Sequence, residues 1–305
     1  MTVPNKFRRK IFKKSVLNKR TKTAQAVFII AFVIFCLYAF TLIFPFLWMF
    51  MSSLKDSALY EIDITTGNPF RWPDMFVWSN YSAVFNRLEA NGTNYFGMFF
   101  NSIWYSVISS ALAVVMPAIV GYCLSKFHFR GRNVLYGLAI FSMTIPLMGN
   151  MGAAYKLYGQ LGLFDNPLYA VVTNLGGLGG MNFMIFYGFF KNISWSYVEA
   201  VYIDGGNDYT AFFRIMLPQA VPMMLTLFIM SFIGTWNDYM TIILYLPSYP
   251  TIASGMYIVS GTLQRTGQTP VYFAGLIVSM IPVLVLFFIF SDKMLTSVSF
   301  GGIKG

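Results

Sequence analysis

The sequence predicts an all-α membrane protein with six transmembrane helices. Its 305 residues are 57% hydrophobic, 19% aromatic and only 10% charged, which is too apolar for an ordinary soluble domain. Six apolar segments each come close to the roughly 20 residues that a helix needs to cross about 30 Å of hydrocarbon. Lys and Arg residues are concentrated on one side of these segments, as the positive-inside rule requires.

The predicted spans alternate with polar segments along the chain. They are Ala26–Trp48, Phe99–Cys123, Val134–Met151, Leu168–Phe190, Met223–Leu246 and Val271–Phe290. The third is the weakest, because Pro146 interrupts it and Lys156 follows soon after. With the N-terminus inside, 16 of the 21 Lys and Arg residues fall in the cytoplasm and 5 outside. We therefore expect both termini to be cytoplasmic.

Residues 1–25 form a basic N-terminal tail ahead of a transmembrane domain at 26–305. The segment from Lys6 to Lys22 holds nine of the 21 basic residues, beside the first span. A basic cluster in this place is typical of a cytoplasmic anchor on anionic lipid, so the formal charge of +10 does not indicate a nucleic-acid partner. Ala26–Trp48 is also longer than the apolar core of a secretory signal, which is about 7–15 residues.

The longest external loop, residues 52–94, is rich in aromatic residues. Trp72, Trp78, Tyr81 and Phe85 stand among mixed charges there. This pattern favours a folded cap over the spans. Anchoring of the aromatic side chains at the lipid headgroups is nearly as well supported.

Span four contains a glycine cluster made of Gly176, Gly177, Gly179 and Gly180. Its Gly-x-x-x-Gly spacing favours close packing of two helices. A second hypothesis is an unwound helix that lines a substrate path, which requires other groups to satisfy the freed backbone. The flanking amides belong to Asn174 and Asn182.

Span five carries Trp236, Asn237 and Asp238 about halfway along. An acid inside a membrane is a functional candidate by default, because burying its charge costs several kcal/mol. Lining of a translocation path and hydrogen bonding between two helices are equally supported. No Lys or Arg lies at matching depth to pair with Asp238.

The cytoplasmic loop 192–222 is predicted to begin with a short helix. Ser196 followed by Glu199 matches the spacing of a capping box. Val198, Val201 and Tyr202 then give one apolar face on a helix of about two turns.

Glycines end this first helix. Gly205 and Gly206 suit a left-handed helix terminus, and Asp208 is predicted to cap a second helix that runs to Pro218. Pro222 suits the first turn of the next span.

Catalytic motifs are missing from the sequence. There is no Gly-x-x-x-x-Gly-Lys-Ser/Thr segment to bind phosphates, no His-Glu-x-x-His and no Gly-x-Ser-x-Gly. Cys36 and Cys123 lie inside apolar spans, and His128 has no second histidine with which to bind a metal. We expect no enzyme activity, no metal and no cofactor in this chain.

The cytoplasmic loop resembles the Glu-Ala-Ala loop of bacterial ABC import permeases. The matching residues are Glu199, Ala200, Gly205, Ile215, Leu217 and Pro218, and the departure is Val201 in place of the second alanine. The segment RWPDMFVWSNYSAVF, the pair Asn101–Ser102 and the Trp236–Asn237–Asp238 cluster also resemble sugar permeases. The ending with Gly301, Gly302, Lys304 and Gly305 is similar to that of the family.

This resemblance implies the type I ABC importer permease fold, in the carbohydrate (maltose-type) class of binding-protein-dependent systems of the bacterial plasma membrane. It implies a coupling helix between helices four and five that sits on an ATPase, with coupling residues Glu199, Ala200, Asp204, Gly205, Gly206 and Pro218. ATP and Mg would be held by two partner ATPase subunits. The other implied partners are a second, homologous permease, an extracytoplasmic solute-binding protein, membrane lipid and a saccharide. Asn174, Asn182, Trp236, Asn237 and Asp238 are the candidates for the translocation path.

Three alternatives stay open at this stage. An ion-coupled secondary transporter would show internal repeats and an ion path of charged residues. A membrane scaffold would not need the capped cytoplasmic element. An ABC importer for amino acids or peptides would share the loop but not the solute, and the sequence does not identify a particular sugar.

Overall fold

The computed structural model describes residues 22–144 and 151–300, with side chains for 25–144 and 151–290. Helices make up nearly all of this part of the chain, and a single short hairpin is its β-structure. The basic tail up to residue 21, Pro146, and the C-terminal Gly301, Gly302, Lys304 and Gly305 lie outside the described residues.

Four helices are long and apolar enough to cross a membrane, judged by length and composition within the described ranges. They are α1 (Lys22–Ser53), α4 (Tyr95–Lys126), α10 (Asp208–Trp236) and α13 (Thr269–Phe300). Their positions confirm helices at the predicted spans one, two, five and six. Most apolar side chains of α1 are exposed in the isolated chain, as expected for a helix that faces lipid.

The predicted spans three and four each appear as shorter helices. The predicted third span, Val134–Met151, overlaps α5 (Arg132–Thr144), and its last residues before Met151 lie outside the described part. A further helix, α6 (Met151–Gln160), begins where that predicted span ends. The fourth is divided into α7 (Leu168–Val172) and α8 (Gly180–Asn192). The prediction of one continuous helix at Leu168–Phe190 is therefore wrong.

Span five is also interrupted. Helix α10 ends at Trp236, and a short helix α11 (Met240–Tyr245) follows, so the prediction of a helix through to Leu246 is wrong. The N-cap of α11 is Tyr239, and the carboxylate of Asp238 just before it accepts a hydrogen bond from the Thr241 N–H at 3.0 Å. Helix α12 (Ile252–Arg265) then leads to α13, with Thr251 and Ser254 forming a capping box at its start.

The segment predicted as the external loop contains short helices and a hairpin. It contains α2 (Ser57–Thr65), α3 (Ser79–Arg87) and the antiparallel strands β1 (Glu89–Ala90) and β2 (Thr93–Asn94). Lys55 Nζ lies 2.7 Å from Asp63 Oδ2, and these two side chains are only 2% and 7% exposed. Its tryptophans Trp72 and Trp78 remain exposed, which is compatible with either predicted role.

Helix α4 is the centre of the packing. It contacts α8 and α10 along much of its length. At Gly121 a Cβ atom would lie 2.9 Å from the backbone nitrogen of Tyr187, so only glycine permits α8 to come this close. One buried cluster joins these helices to the cytoplasmic element, and we call it the α4–α8–α10 core. Its members are Val114, Ala118, Tyr122, Phe186, Phe190, Val198, Val201, Ala211, Phe212, Met216 and Ala220.

Candidate coupling element and translocation path

The predicted first helix of the cytoplasmic loop is present as α9 (Ser196–Ile203). Its capping box is not. A capping box needs Ser196 at the N-cap, but the N-cap of α9 is Trp195, one residue earlier. Trp195 makes no side-chain hydrogen bond to the helix. Glu199 therefore stands one position too late to bond back to the N-cap, and Ser194 Oγ instead accepts from the Ser196 N–H at 3.2 Å.

Glycines end α9 as predicted. Gly205 has φ +78°, which is the left-handed conformation. The N–H of Gly206 donates to the Val201 carbonyl at 2.8 Å, and the N–H of Gly205 donates to the Tyr202 carbonyl at 3.0 Å. This pair of bonds is the Schellman motif, and it places Asp204 at the C-cap.

The next helix is capped by Asn207 rather than by Asp208. The Asn207 side chain accepts from the N–H and the hydroxyl of Thr210, both at 3.0 Å. The prediction for Asp208 is wrong because its carboxylate accepts instead from the Tyr202 hydroxyl. This hydrogen bond raises the pKa of Tyr202 and connects the two sides of the glycine turn.

The second helix does not stop at Pro218. It continues as α10 through a π-helical segment, Ala211–Met216, directly into the apolar span. Pro218 lies at the start of the following α-helical part, and Pro222 lies inside it. Proline cannot donate to the preceding turn, and the widened segment just before it accommodates that missing bond. The span and the second helix of the predicted cytoplasmic loop are thus one helix, Asp208–Trp236.

Helix α9 packs directly on the α4–α8–α10 core. Val198 is fully buried and Val201 is 8% exposed, which confirms the predicted apolar face, whereas Tyr202 is 43% exposed. Beneath the helix, the ring of Tyr122 on α4 lies 4.7 Å from that of Phe212 on α10 and 5.4 Å from that of Phe190 on α8. The buried valines of α9 therefore share one cluster with side chains of α4, α8 and α10.

The opposite face of this element is exposed and aromatic. Tyr197, Ile203, Tyr209 and Phe213 are all more than half exposed. The predicted residues Glu199, Ala200, Asp204, Gly205 and Pro218 are exposed as well, and Gly206 is half-buried. The sequence prediction did not include these exposed aromatic residues. The pairs Tyr197–Val198 and Val201–Tyr202, each with a buried valine beside an exposed tyrosine, could have indicated them. Their exposure leaves this face of the element available to a partner.

The glycine cluster is an unwound segment. Gly177, Gly179 and Gly180 have φ values of +57°, +95° and +73°. A Cβ at Gly177 would lie 2.8 Å from the backbone of Met116 on α4, so the segment approaches that helix closely without being a helix. The Gly-x-x-x-Gly helix-packing interpretation is wrong, and the unwound geometry of the second hypothesis is found.

The two flanking amides are half-buried, and each donates a hydrogen bond to a backbone carbonyl. Asn182 Nδ2 donates to the Ala113 carbonyl of α4 at 2.8 Å. Asn174 Nδ2 donates to the Ala170 carbonyl at 2.9 Å. These bonds satisfy backbone groups around the break, as an interrupted helix in a membrane requires.

Trp236 and Asn237 line a cleft of about 390 Å³ between α10, α12 and α13. Trp236 is buried, stacks on Phe232 at 5.6 Å and points its indole N–H at the Ser279 carbonyl 3.4 Å away. Asn237 donates to the Ile233 carbonyl at 2.8 Å, which leaves its amide oxygen available. Asp238 is not among the lining residues, and its carboxylate accepts from the N–H of Thr241 in the first turn of α11.

Three tyrosines of the cleft were not predicted from sequence. Tyr239 and Tyr257 are stacked with ring centroids 4.5 Å apart, and Tyr272 lies on α13. Aromatic faces with a few hydroxyl and amide groups are the usual lining of a small-molecule site. The structure therefore brings Trp236 and Asn237 together with these tyrosines, and places Asn174 and Asn182 elsewhere, at the glycine break.

Metal-binding clusters are absent from the described residues, where no group of three His, Cys, Asp or Glu side chains could hold a metal ion. Cys36 and Cys123 are both free thiols.

A family of known proteins matches the part of the chain that contains these features. Residues 113–295 match the family described as "Binding-protein-dependent transport system inner membrane component". This range includes every predicted coupling and path residue.

Individual relatives match most of the chain. The diacetylchitobiose uptake system permease protein NgcG of Streptomyces coelicolor is 28% identical, over 87% of this chain and 85% of its own length. The trehalose transport system permease protein SugB of Mycobacterium tuberculosis is 26% identical, over 86% and 92%. The arabinooligosaccharides transport system permease protein AraQ of Bacillus subtilis is 24% identical, over 89% and 94%.

A solved structure shares the fold. It is a chain of a bacterial alginate ABC transporter, in complex with an alginate pentasaccharide-bound periplasmic protein, with a TM-score of 0.60 and 13% identity over 90% of this chain and 96% of that chain. The chain is a membrane protein and belongs to the family of inner membrane components of binding-protein-dependent transport systems, as the resemblance of its cytoplasmic loop predicted.

Proposed function

We propose that this chain is a permease subunit of an ATP-driven, binding-protein-dependent importer of saccharides. The observation that carries the proposal is the seating of α9 on the α4–α8–α10 core, since it gives a cytoplasmic partner direct mechanical access to the membrane helices. The three relatives described above are named for diacetylchitobiose, trehalose and arabinooligosaccharides, which are all carbohydrates.

In this proposal the chain crosses the membrane six times with both termini in the cytoplasm. Residues 1–25 form the lipid-facing tail and residues 26–305 the transmembrane domain. The interrupted helices α5–α6 and α7–α8 would form spans three and four, with their breaks held by neighbouring protein. The distribution of Lys and Arg supports this orientation.

Energy would enter through α9. ATP and Mg would be bound by two partner ATPase subunits, and the exposed surface around Glu199, Ala200, Asp204 and Tyr197 would sit on one of them. Gly205 and Gly206 would hold the turn, and Pro218 the junction with the span. Closure of the ATPase dimer would displace α9, and the packed helices would follow as a rigid body and change access to the path.

The cleft at Trp236 and Asn237 would face the solute. Saccharides combine apolar ring faces with many hydroxyl groups, and an aromatic wall with free amide and hydroxyl groups matches both properties. Asn174 and Asn182 would hold the glycine break in place by their hydrogen bonds to the Ala170 and Ala113 carbonyls. Asp238 would stabilise the first turn of α11 through its bond with the Thr241 N–H. A second, homologous permease would complete the path, and an extracytoplasmic binding protein would deliver the solute.

Co-purification and reconstitution test this proposal. The tagged chain, expressed with its genomic partners and extracted in mild detergent, should bring down an ATPase and a second permease. In proteoliposomes, ATP hydrolysis should rise when a binding protein loaded with trehalose, diacetylchitobiose or an arabinooligosaccharide is added. Stimulation by a binding protein loaded with an amino acid or peptide would show that the solute is not a saccharide. Uptake driven by an ion gradient without any ATPase would refute the proposal.

Two variants test whether the cleft belongs to the translocation path. Trp236→Ala should lower saccharide transport while leaving ATPase co-purification intact. Trp78→Ala, which removes an equally large side chain that is 61% exposed in the external loop, is the matched control for the loss of an indole. Equal transport by both variants would remove the cleft from the proposed path.

A further inference from the structure

Lys126 is a buried cation at the last residue of α4. Its side chain is only 7% exposed, although lysine is almost never buried without a partner. The ion pairs of the described residues involve Lys55, Arg71, Asp63 and Asp74, and none of them includes Lys126. Its ammonium group instead donates a hydrogen bond to the carbonyl of Ile193.

The position of that carbonyl matters. Ile193 is the C-cap of α8, where the last carbonyls of a helix lack partners within the helix and carry partial negative charge. Only Ser194 and Trp195 separate it from the start of α9. The ammonium of Lys126 therefore satisfies a helix end and at the same time fixes the point from which the coupling helix departs.

The bond joins the two helices that support α9. Along their length α4 and α8 already touch closely, because Gly121 allows the backbone of Tyr187 to approach. Lys126 adds a charged hydrogen bond to this contact at the end from which the segment leading to α9 departs. Apolar packing is tolerant of small rotations, whereas a charged hydrogen bond to one carbonyl sets a direction.

We propose that Lys126 is a positioning residue of energy coupling: its ammonium, held by the Ile193 carbonyl, fixes the angle of α9 on α4 so that displacement of α9 moves the membrane helices. The inference rests on the proposed function for its consequence in transport. The anchoring itself is a property of this chain alone and can be tested without any partner.

The first experiment measures the anchor directly. Spin labels are placed at exposed positions 128 and 197, in a chain with Cys36→Ala and Cys123→Ala, and the distance distribution is recorded by pulsed electron resonance in nanodiscs. Wild type and Lys126→Arg should give one narrow distribution, since arginine retains the charge and the donors. Lys126→Met should give a broad distribution.

Lys191→Met is the matched control, because Lys191 lies in the last turn of α8 but is exposed over the ring of Tyr187. It should leave the distribution narrow. A distribution as narrow in Lys126→Met as in wild type, or broadened equally by Lys191→Met, would overturn the proposal. If Lys126→Met does not accumulate, Lys126→Gln replaces it. Glutamine has no charge and its amide nitrogen is one bond closer to the backbone than the lysine ammonium, so its donor should fall short of the Ile193 carbonyl and the distribution should again be broad.

The second experiment measures coupling in the complete transporter. With ATPase, second permease and trehalose-, diacetylchitobiose- or arabinooligosaccharide-loaded binding protein, Lys126→Met should raise ATP hydrolysed per solute imported by about fivefold, the lower end of coupling between two sites. Lys126→Arg should restore the wild-type ratio. An unchanged ratio in correctly assembled Lys126→Met complexes would show that the anchor has no role in coupling.

Failure of the proposed function and failure of the Lys126 proposal give different results in these two experiments. If no ATPase joins the chain, the proposed function is lost, while the distance measurement still decides whether Lys126 fixes α9.

Discussion

The carboxylate of Asp165 holds Ser248, 83 residues later in the chain, by two hydrogen bonds. Oδ1 accepts from the Ser248 N–H at 2.9 Å and Oδ2 accepts from the Ser248 hydroxyl at 2.6 Å. The N–H of Asp165 in turn donates to the Tyr245 carbonyl at 2.7 Å. Asp165 has φ +52°, a conformation that aspartate tolerates better than most residues. The loop before α7 and the turn after α11 are therefore fastened together.

Asp165→Ala is expected to destabilise the protein by about 2–3 kcal/mol, because it removes two bonds to a charged acceptor and leaves a strained φ. Asp165→Asn should cost less, since asparagine tolerates the same φ and retains one acceptor oxygen. Thermal unfolding in detergent, followed by tryptophan fluorescence, measures both.

Asp74→Asn is the control for this series. Asp74 is 56% exposed and pairs with Arg71, which is 53% exposed, at 2.8 Å. Such a surface pair is worth about 0–1 kcal/mol. A loss of stability at position 74 as large as at position 165 would contradict the special role of the Asp165–Ser248 contact.

The buried ion pair in the external loop makes a second prediction. Lys55→Met leaves the Asp63 carboxylate buried, with Arg71 3.7 Å away as a weak and half-exposed substitute. Removal of one partner of a buried pair typically costs about 3–5 kcal/mol. We expect a large drop in the unfolding temperature and in membrane abundance.

The double variant Lys55→Met, Asp63→Leu should recover most of that loss, because no unpaired charge remains. Folding stability and abundance of the single and double variants decide the point. A double variant that is less stable than Lys55→Met would mean that Asp63 stabilises the loop even without Lys55, and not only by neutralising the lysine charge.

Glycine-to-alanine substitutions in two helices are expected to have opposite effects. At Gly137 in α5 an added Cβ meets nothing within 4 Å, and alanine should stabilise the helix by up to about 1 kcal/mol. At Gly121 the Cβ would lie 2.9 Å from Tyr187 N and 3.0 Å from Phe186 Cβ. We expect Gly121→Ala to force α4 and α8 apart and to lower stability.

Differential scanning fluorimetry of the two variants gives the sign of each change. Transport by Gly121→Ala should fall further than its abundance, because α8 leads directly into α9. Stabilisation at both positions would show that the α4–α8 contact can relax without cost.

The sequence was sufficient to predict the long helices, but not where helices break inside the membrane. Hydropathy records how apolar a segment is, and a broken span is as apolar as a continuous one. The breaks at Gly177 and Asp238 depend on local conformations: positive φ values at glycines, and a carboxylate that bonds to an N–H in the first turn of the next helix. The glycine cluster contained this information, but helix packing explains the same spacing.

In the predicted cytoplasmic loop, too, some features could be predicted from sequence and others could not. Its apolar face and glycine terminus were predictable, since Val198, Val201 and Gly205 follow general rules of helix periodicity and termination. The shift of its start by one residue, from a Ser196 cap to Trp195, was not. The tyrosines of the cleft and the Lys126 anchor arise from contacts between distant segments, which no local pattern records.

Substitutions at the glycine turn separate conformation from steric contact. Gly205 has φ +78°, but a Cβ there would meet nothing within 4 Å, so its substitution acts through the backbone alone. At Gly206 a Cβ would lie 2.5 Å from Val201 Cγ1. Gly205→Ala should cost about 1–2 kcal/mol of local stability, and Gly205→Asn less, because asparagine enters the left-handed region more readily.

Gly205→Asp adds a charged side chain on the exposed face of α9 as well as the backbone strain. We expect it to abolish most saccharide transport while the protein still inserts at normal abundance, since no contact within the chain is lost. Gly205→Asn is the matched control, with the same shape and no charge, and it should retain most transport. Uptake and membrane abundance measured side by side check this, and normal uptake by Gly205→Asp would remove α9 from the coupling pathway, because an element seated on an ATPase does not accept a new charge at its exposed turn without effect.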